Sequence, residues 1–114
     1  MVKTHAELSA ALRDALTQDA SAFVDALYDV DGIEDPDERE VVTQMRDATK
    51  AMFARSRAKL GGAAVSLVGQ SREGDRYKTQ VQVEGGPKLE IIVDDVYQRG
   101  GGLHTRDLVD IVVC

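Results

Sequence analysis

The 114-residue chain has no tryptophan, one cysteine, two histidines and two prolines. Its aromatic residues are Phe23, Phe53, Tyr28, Tyr77 and Tyr97, so the core has to rest on Leu, Val, Ile and Ala. The same scarcity leaves few platforms on which bases or sugars could stack. With Cys114 alone, intramolecular disulfides and cysteine-rich zinc sites are excluded, and a reducing compartment fits best. Its thiol could link two chains under oxidising conditions, although an inert position is the ordinary reading. Apolar stretches such as Ile91-Ile92-Val93 and Ile111-Val112-Val113 are far too short to cross a bilayer. Near the start stand Lys3, Glu7 and Asp14 rather than the apolar run of a signal peptide. A cytoplasmic protein without membrane contact is therefore expected.

What is abundant is acid. Twenty Asp and Glu face fourteen Lys and Arg, a formal charge of −6. That field favours solubility and disfavours nucleic acid and anionic membranes, though a local basic patch could still act. The length suits a single domain spanning residues 1–114.

The first half reads as helix. Thr4-His5-Ala6-Glu7 has the form of a capping box, in which Thr4 accepts the Glu7 amide proton and Glu7 reaches back to Thr4. Leu8, Leu12, Ala15, Leu16, Ala20, Phe23, Val24 and Leu27 then recur at three- and four-residue intervals. Thr17-Gln18-Asp19 competes for backbone hydrogen bonds, so residues 5–28 form either one helix or two. In the acidic stretch Asp29 to Glu40, Asp35 can cap, Pro36 suits the first helical position and Glu38 can close a reciprocal cap. The stretch lacks the glycine and terminal glutamate offsets of a calcium loop, and no metal is expected. A helix over about 36–60 would stop at Gly61-Gly62. Its apolar face includes Val41, Val42, Met45, Ala48, Met52, Phe53 and Leu60. Acidic residues at its start and Arg55, Arg57 and Lys59 near its end complement the helix dipole.

After Gly62 the period changes from helical to alternating. Tyr77, Thr79, Val81 and Val83 alternate with Lys78, Gln80 and Gln82, the cleanest strand pattern present. Strands are expected over about 63–69, 76–84, 88–97 and 107–113, with a turn at Ser71 to Asp75 and a flexible turn at Gly100-Gly101-Gly102. The fold class expected is α+β, with two or three N-terminal helices packed on a four-stranded antiparallel sheet.

The stretch Ala11–Tyr28 (ALRDALTQDASAFVDALY) resembles the opening of α+β rolls in the nuclear-transport-factor-like superfamily. The helix-then-sheet order is shared too, and a cystatin-like arrangement is a comparable resemblance. What the first resemblance implies is a pocket between helices and a curved sheet, frequent dimerisation and, in some members, an enzyme. No catalytic residue carries over, because the polar constellation of such a pocket has no counterpart that can be placed in this chain.

Three functional readings follow from the residues. The leading one is a non-enzymatic interaction or assembly protein, homodimeric or bound to another protein, using the open sheet face or a sheet edge. Ile92, apolar on an otherwise polar strand face, and the apolar final strand motivate it. The second is a ligand-binding or enzymatic roll with a pocket near His104, lined by Tyr77, Tyr97 and His104. There His104 would be the catalytic candidate, with Asp94, Asp95 and Asp107 as neighbours, although Asp94 and Asp95 point to opposite faces of an ideal strand. The third is an anionic-partner surface on Arg46, Lys50, Arg55, Arg57 and Lys59. No cofactor is expected in any of them, since no phosphate loop, dinucleotide fingerprint or zinc spacing occurs.

Overall fold

Thr4 opens the first helix, its hydroxyl accepting the Glu7 N–H at 3.1 Å. The Glu7 carboxylate, however, accepts the Lys3 N–H at 3.2 Å rather than that of Thr4, so the return half of the cap falls one residue earlier than expected. In the computed structural model, which describes residues 2–114, this helix is α1, His5–Ala15. The chain then breaks. Asp19 accepts both the amide and the hydroxyl protons of Ser21, at 3.0 and 2.8 Å, and α2 follows as Ser21–Leu27. Those same two bonds from Ser21 hold the Asp19 carboxyl below its ordinary pKa. Of the two alternatives for residues 5–28, two helices are the outcome.

After a 3-10 turn at Val30–Gly32, α3 runs Pro36–Leu60. Asp35 caps it by accepting the Asp37 N–H at 3.0 Å, and Pro36 occupies the first turn. Glu38 does not close the cap; its carboxylate pairs with Arg106 at 2.9 Å. Gly61, left-handed at φ 58°, ends the helix and donates its N–H to the Arg57 carbonyl. Val42, Phe53 and Thr49 are buried on this helix, whereas Val41 is 50% exposed and does not belong to its apolar face.

The strands are β1 (Val65–Glu73), β2 (Arg76–Val83), β3 (Lys88–Val93), β4 (Tyr97–Arg99), β5 (Gly102–His104) and β6 (Asp110–Val113). Four of them form an antiparallel sheet in the order β1-β2-β3-β6. The fold is the expected α+β, with three differences in detail. First, β1 reaches Glu73 because Ser71, Arg72 and Glu73 pair with Lys78, Tyr77 and Arg76, and a bulge at Val68 restores the register. The turn is thereby reduced to Gly74-Asp75.

Second, β3 stops at Val93 rather than near residue 97. Arg76 grips Asp94 through two hydrogen bonds, at 2.6 and 3.2 Å, and Asp95 takes a positive φ of 50° that turns the chain out of the sheet. The segment so released folds into a hairpin, β4–β5, whose two-residue turn is Gly100-Gly101 at φ 59° and 80°. Two consecutive positive φ values define the turn that matches strand twist, and glycine supplies both without strain. Third, β6 begins at Asp110 rather than 107, since the Asp107 carboxylate accepts the Leu108 N–H and its carbonyl is taken by Tyr28.

Helices and sheet are joined by two buried hydroxyl clusters. Under α1, the single proton of the Tyr77 hydroxyl faces two carbonyl acceptors, His5 O at 3.0 Å and Gln70 Oε1 at 2.9 Å. Ser9 therefore donates to Tyr77 (2.9 Å) and accepts from Thr79 (3.0 Å). Beyond α2, Tyr28 donates to the Asp107 carbonyl at 2.7 Å, which leaves Thr49 to donate to Tyr28, also at 2.7 Å. Around them pack Leu8, Leu12, Leu16, Val24, Leu27, Phe53, Val81, Ile91 and Val93.

Removing the Tyr28 hydroxyl leaves the buried Thr49 hydroxyl and the Asp107 carbonyl short of a bond, so Tyr28→Phe should lower unfolding free energy by about 1–3 kcal/mol, read from urea midpoints. Burial also raises the Tyr28 phenol above its ordinary value of 10.0. The unfolded chain then releases this proton at lower pH than the folded one. Stability from this group is full below the ordinary phenol value and declines as pH climbs above it. Urea titrations at alkaline pH should show a steeper decline for the native sequence than for Tyr28→Phe.

Candidate functional site

Along β6 the side chains alternate between the two faces of the sheet. Val113 and Ile111 stand opposite Leu89 and Ile91, on the inner face under the helices, while Val112 stands opposite Glu90 on the outer face. The helical layer does not close over this last strand. Between the second half of α3 and strands β3 and β6 lies an open groove of about 480 Å3, lined by Met52, Leu60, Pro87, Leu89, Ile111 and Val113 and edged by Arg55, Ser56, Lys59 and Asp110. The α3 contributors, Met52, Arg55, Ser56, Lys59 and Leu60, follow the three- and four-residue spacing of one helix face. Val113 is 70% exposed and Val112 38% exposed, so β6 meets water with apolar side chains on both faces.

The five basic residues expected to act together are divided. Lys50 pairs with Asp25 at 2.6 Å, and Arg46 with Asp47 at 3.2 Å and Asp25 at 3.8 Å. Arg57 donates to the Ala15 carbonyl at 2.9 Å, tying α3 to the end of α1. Arg55 and Lys59 make no ion pair or side-chain hydrogen bond among the described residues, and these two border the groove. Ile92 lies on the opposite, outer face, half-buried, in register with Lys78 and Asp110 and diagonal to Val112.

The residues expected around His104 are brought together in part. The Tyr97 and His104 rings are 5.8 Å apart, and the Arg106 guanidinium lies 5.2 Å from the Tyr97 centroid. Tyr77 is elsewhere, buried beneath α1 in its hydroxyl cluster. His104 is almost fully buried, with Nδ1 2.8 Å from the Ala26 carbonyl and Nε2 3.2 Å from the Arg99 carbonyl. Its ring thus binds the β4–β5 hairpin to α2. A shallow depression of about 440 Å3 beside it is lined by Asp29, Arg99, Gly100 and His104, and the Asp29 carboxylate is paired with Arg99. Asp94, neutralised by Arg76, and Asp95, turned away at its positive φ, do not form an acid–base pair.

Among the described residues no group of three or more His, Cys, Asp and Glu is arranged to hold a metal ion, and no helix is long and apolar enough to cross a membrane. Compared with family models, curated proteins and solved structures, the chain matches none, so its function rests on its own geometry.

Since His104 packs both ring nitrogens against backbone carbonyls, one of which takes its N–H, His104→Ala should cost about 2–3 kcal/mol, through the lost hydrogen bond and the lost packing of the ring. Chemical denaturation checks this. A variant as stable as the native chain would mean that the ring does not hold the hairpin.

Proposed function

We propose that the chain is a non-enzymatic interaction or assembly domain that forms a homodimer, docking a second copy along the α3–β6 groove. One observation carries the reading: a strand with apolar residues on both faces, Ile111, Val112 and Val113, stands at the sheet margin beside an apolar groove that the helices leave open. Exposed apolar surface of this kind, bordered by charge, is characteristic of association sites. Arg55 and Lys59 provide two unneutralised cations next to it, in a molecule otherwise dominated by acid. The enzymatic alternative loses its acid–base candidates to structural roles, His104 to two carbonyls and Asp94 to Arg76. The anionic-partner alternative loses Arg46, Lys50 and Arg57 to internal contacts.

Light scattering on the purified protein at tens of micromolar should return the mass of two chains, and a single-chain mass would refute the reading. Val113→Glu should return one chain with unchanged circular dichroism, because a charge at this exposed position costs little in the lone chain and much beneath a partner.

A further inference from the structure

Granting that a second copy docks at the groove, we propose that the two copies join edge to edge through β6, antiparallel about a two-fold axis at Val112, to make one continuous sheet. Each groove is then closed by the other copy's Ile111 and Val113.

The two edges of the sheet differ in kind. β1 is guarded: it carries the bulge at Val68, a glycine, and Arg72 and Glu73 near its end. Bulges and charges of this sort keep an edge from pairing. β6 runs in unbroken register with β3 and has apolar residues on both faces. A continuous apolar run is the pattern of a strand with cover on both sides and neighbours on both edges. The strand is thus composed as an interior strand, although the lone chain places it at the margin.

Its backbone is oriented for the missing neighbour. Cys114 donates its N–H to the Lys88 carbonyl at 2.9 Å, so the backbone groups of Cys114 and Val112 face β3. By the same alternation those of Ile111 and Val113 face outward. Asp110 accepts the Ile111 N–H at 2.9 Å, and the Val113 N–H has no partner among the described residues.

A second copy of β6 supplies the matching surface. With the axis at Val112, the Ile111 of each copy stands opposite the other's Val113, and all four side chains point to the inner face. On the outer face the two Val112 side chains meet, each with Glu90 of its own chain directly beside it and Ile92 on the diagonal. An axis at Ile111 would instead set Val113 against Val109, which is completely buried in its own chain and cannot pair. Each Val113 N–H donates to the other copy's Ile111 carbonyl. Each Ile111 N–H leaves the Asp110 carboxylate and donates to the other copy's Val113 carbonyl.

The test is Val113→Pro. Proline deletes only the outward N–H at this position, leaving the Val112 and Cys114 bonds to β3 intact. Sedimentation equilibrium should show the dimer weakened about tenfold or more, since two symmetric hydrogen bonds are lost and the rings obstruct the approach. Val68→Lys, on the opposite edge, should leave the dimer unchanged. Hydrogen exchange of the native protein gives a readout that needs no variant: the Val113 amide should slow as concentration rises through the dimer transition. A native chain that is a monomer at tens of micromolar ends both this inference and the homodimer reading. A native dimer left intact by Val113→Pro, disrupted by Val68→Lys, or showing no concentration dependence at the Val113 amide, ends this inference alone.

Discussion

Three distant parts of the chain meet at the Tyr28 hydroxyl: the end of α2, the middle of α3 through Thr49, and the lead-in to β6 through Asp107. A phenol has one proton, so the arrangement works in one sense only, with Asp107 accepting and Thr49 donating. The Tyr28 and Thr49 hydroxyls are withdrawn from water, where an unmatched donor or acceptor costs about 1–3 kcal/mol. The spacing of the three segments is therefore held tightly, and with it the line along which α3 passes the last strand. On the same face of the sheet, nearer the β1 edge, the Thr79–Ser9–Tyr77 relay does the same for α1 over β1 and β2. The helical layer is anchored at these two places. What lies between the second half of α3 and β6 is left uncovered, and the groove is the consequence.

Features that depend on near neighbours were legible in the sequence. The Thr4 and Asp35 caps, the break at Thr17 to Asp19, the stop at Gly61 and the alternation from Tyr77 to Val83 each arise from residues within one or two turns or along one strand. Features that depend on partners far along the chain were not. Ser9 and Tyr77 are 68 positions apart, and nothing in a helical stripe marks Ser9 as a buried donor. The end of β3 is hidden in the sequence for the same reason. The run from Lys88 to Tyr97 looks extended throughout, and it is Arg76 holding Asp94, across 18 positions, that ends the pairing.

The candidate site divides along similar lines. Ile92 stood out because it breaks an alternating pattern, and that signal is local. The basic residues of α3 looked like one surface because a helix places them in series, whereas their ion partner Asp25 belongs to a different helix. The floor of the groove requires β3 and β6 to be neighbours, and the β4–β5 hairpin inserted between them hides this adjacency. One signal was available in the sequence. Met52, Arg55, Ser56, Lys59 and Leu60 combine apolar and basic residues on one helix face, where an ordinary solvated face would be polar throughout.

Asp110 bears on how strong any pairing at β6 can be. Because its carboxylate already accepts the Ile111 N–H, adding a strand exchanges one hydrogen bond for another at that position and gains one only at Val113. Most of the driving force then has to come from apolar burial. Fully covering a valine or isoleucine is worth about 1.5–3 kcal/mol, and Ile111 and Val112 are already partly covered in the lone chain. Like net charges oppose the approach, with Arg55 and Lys59 offsetting part of the repulsion. Against the loss of rotational and translational freedom on association, so short an interface favours micromolar over nanomolar affinity. A reversible dimer in that range would respond to its own concentration, with pairing confined to the short β6 edge while the bulged, charged β1 edge stays unpaired.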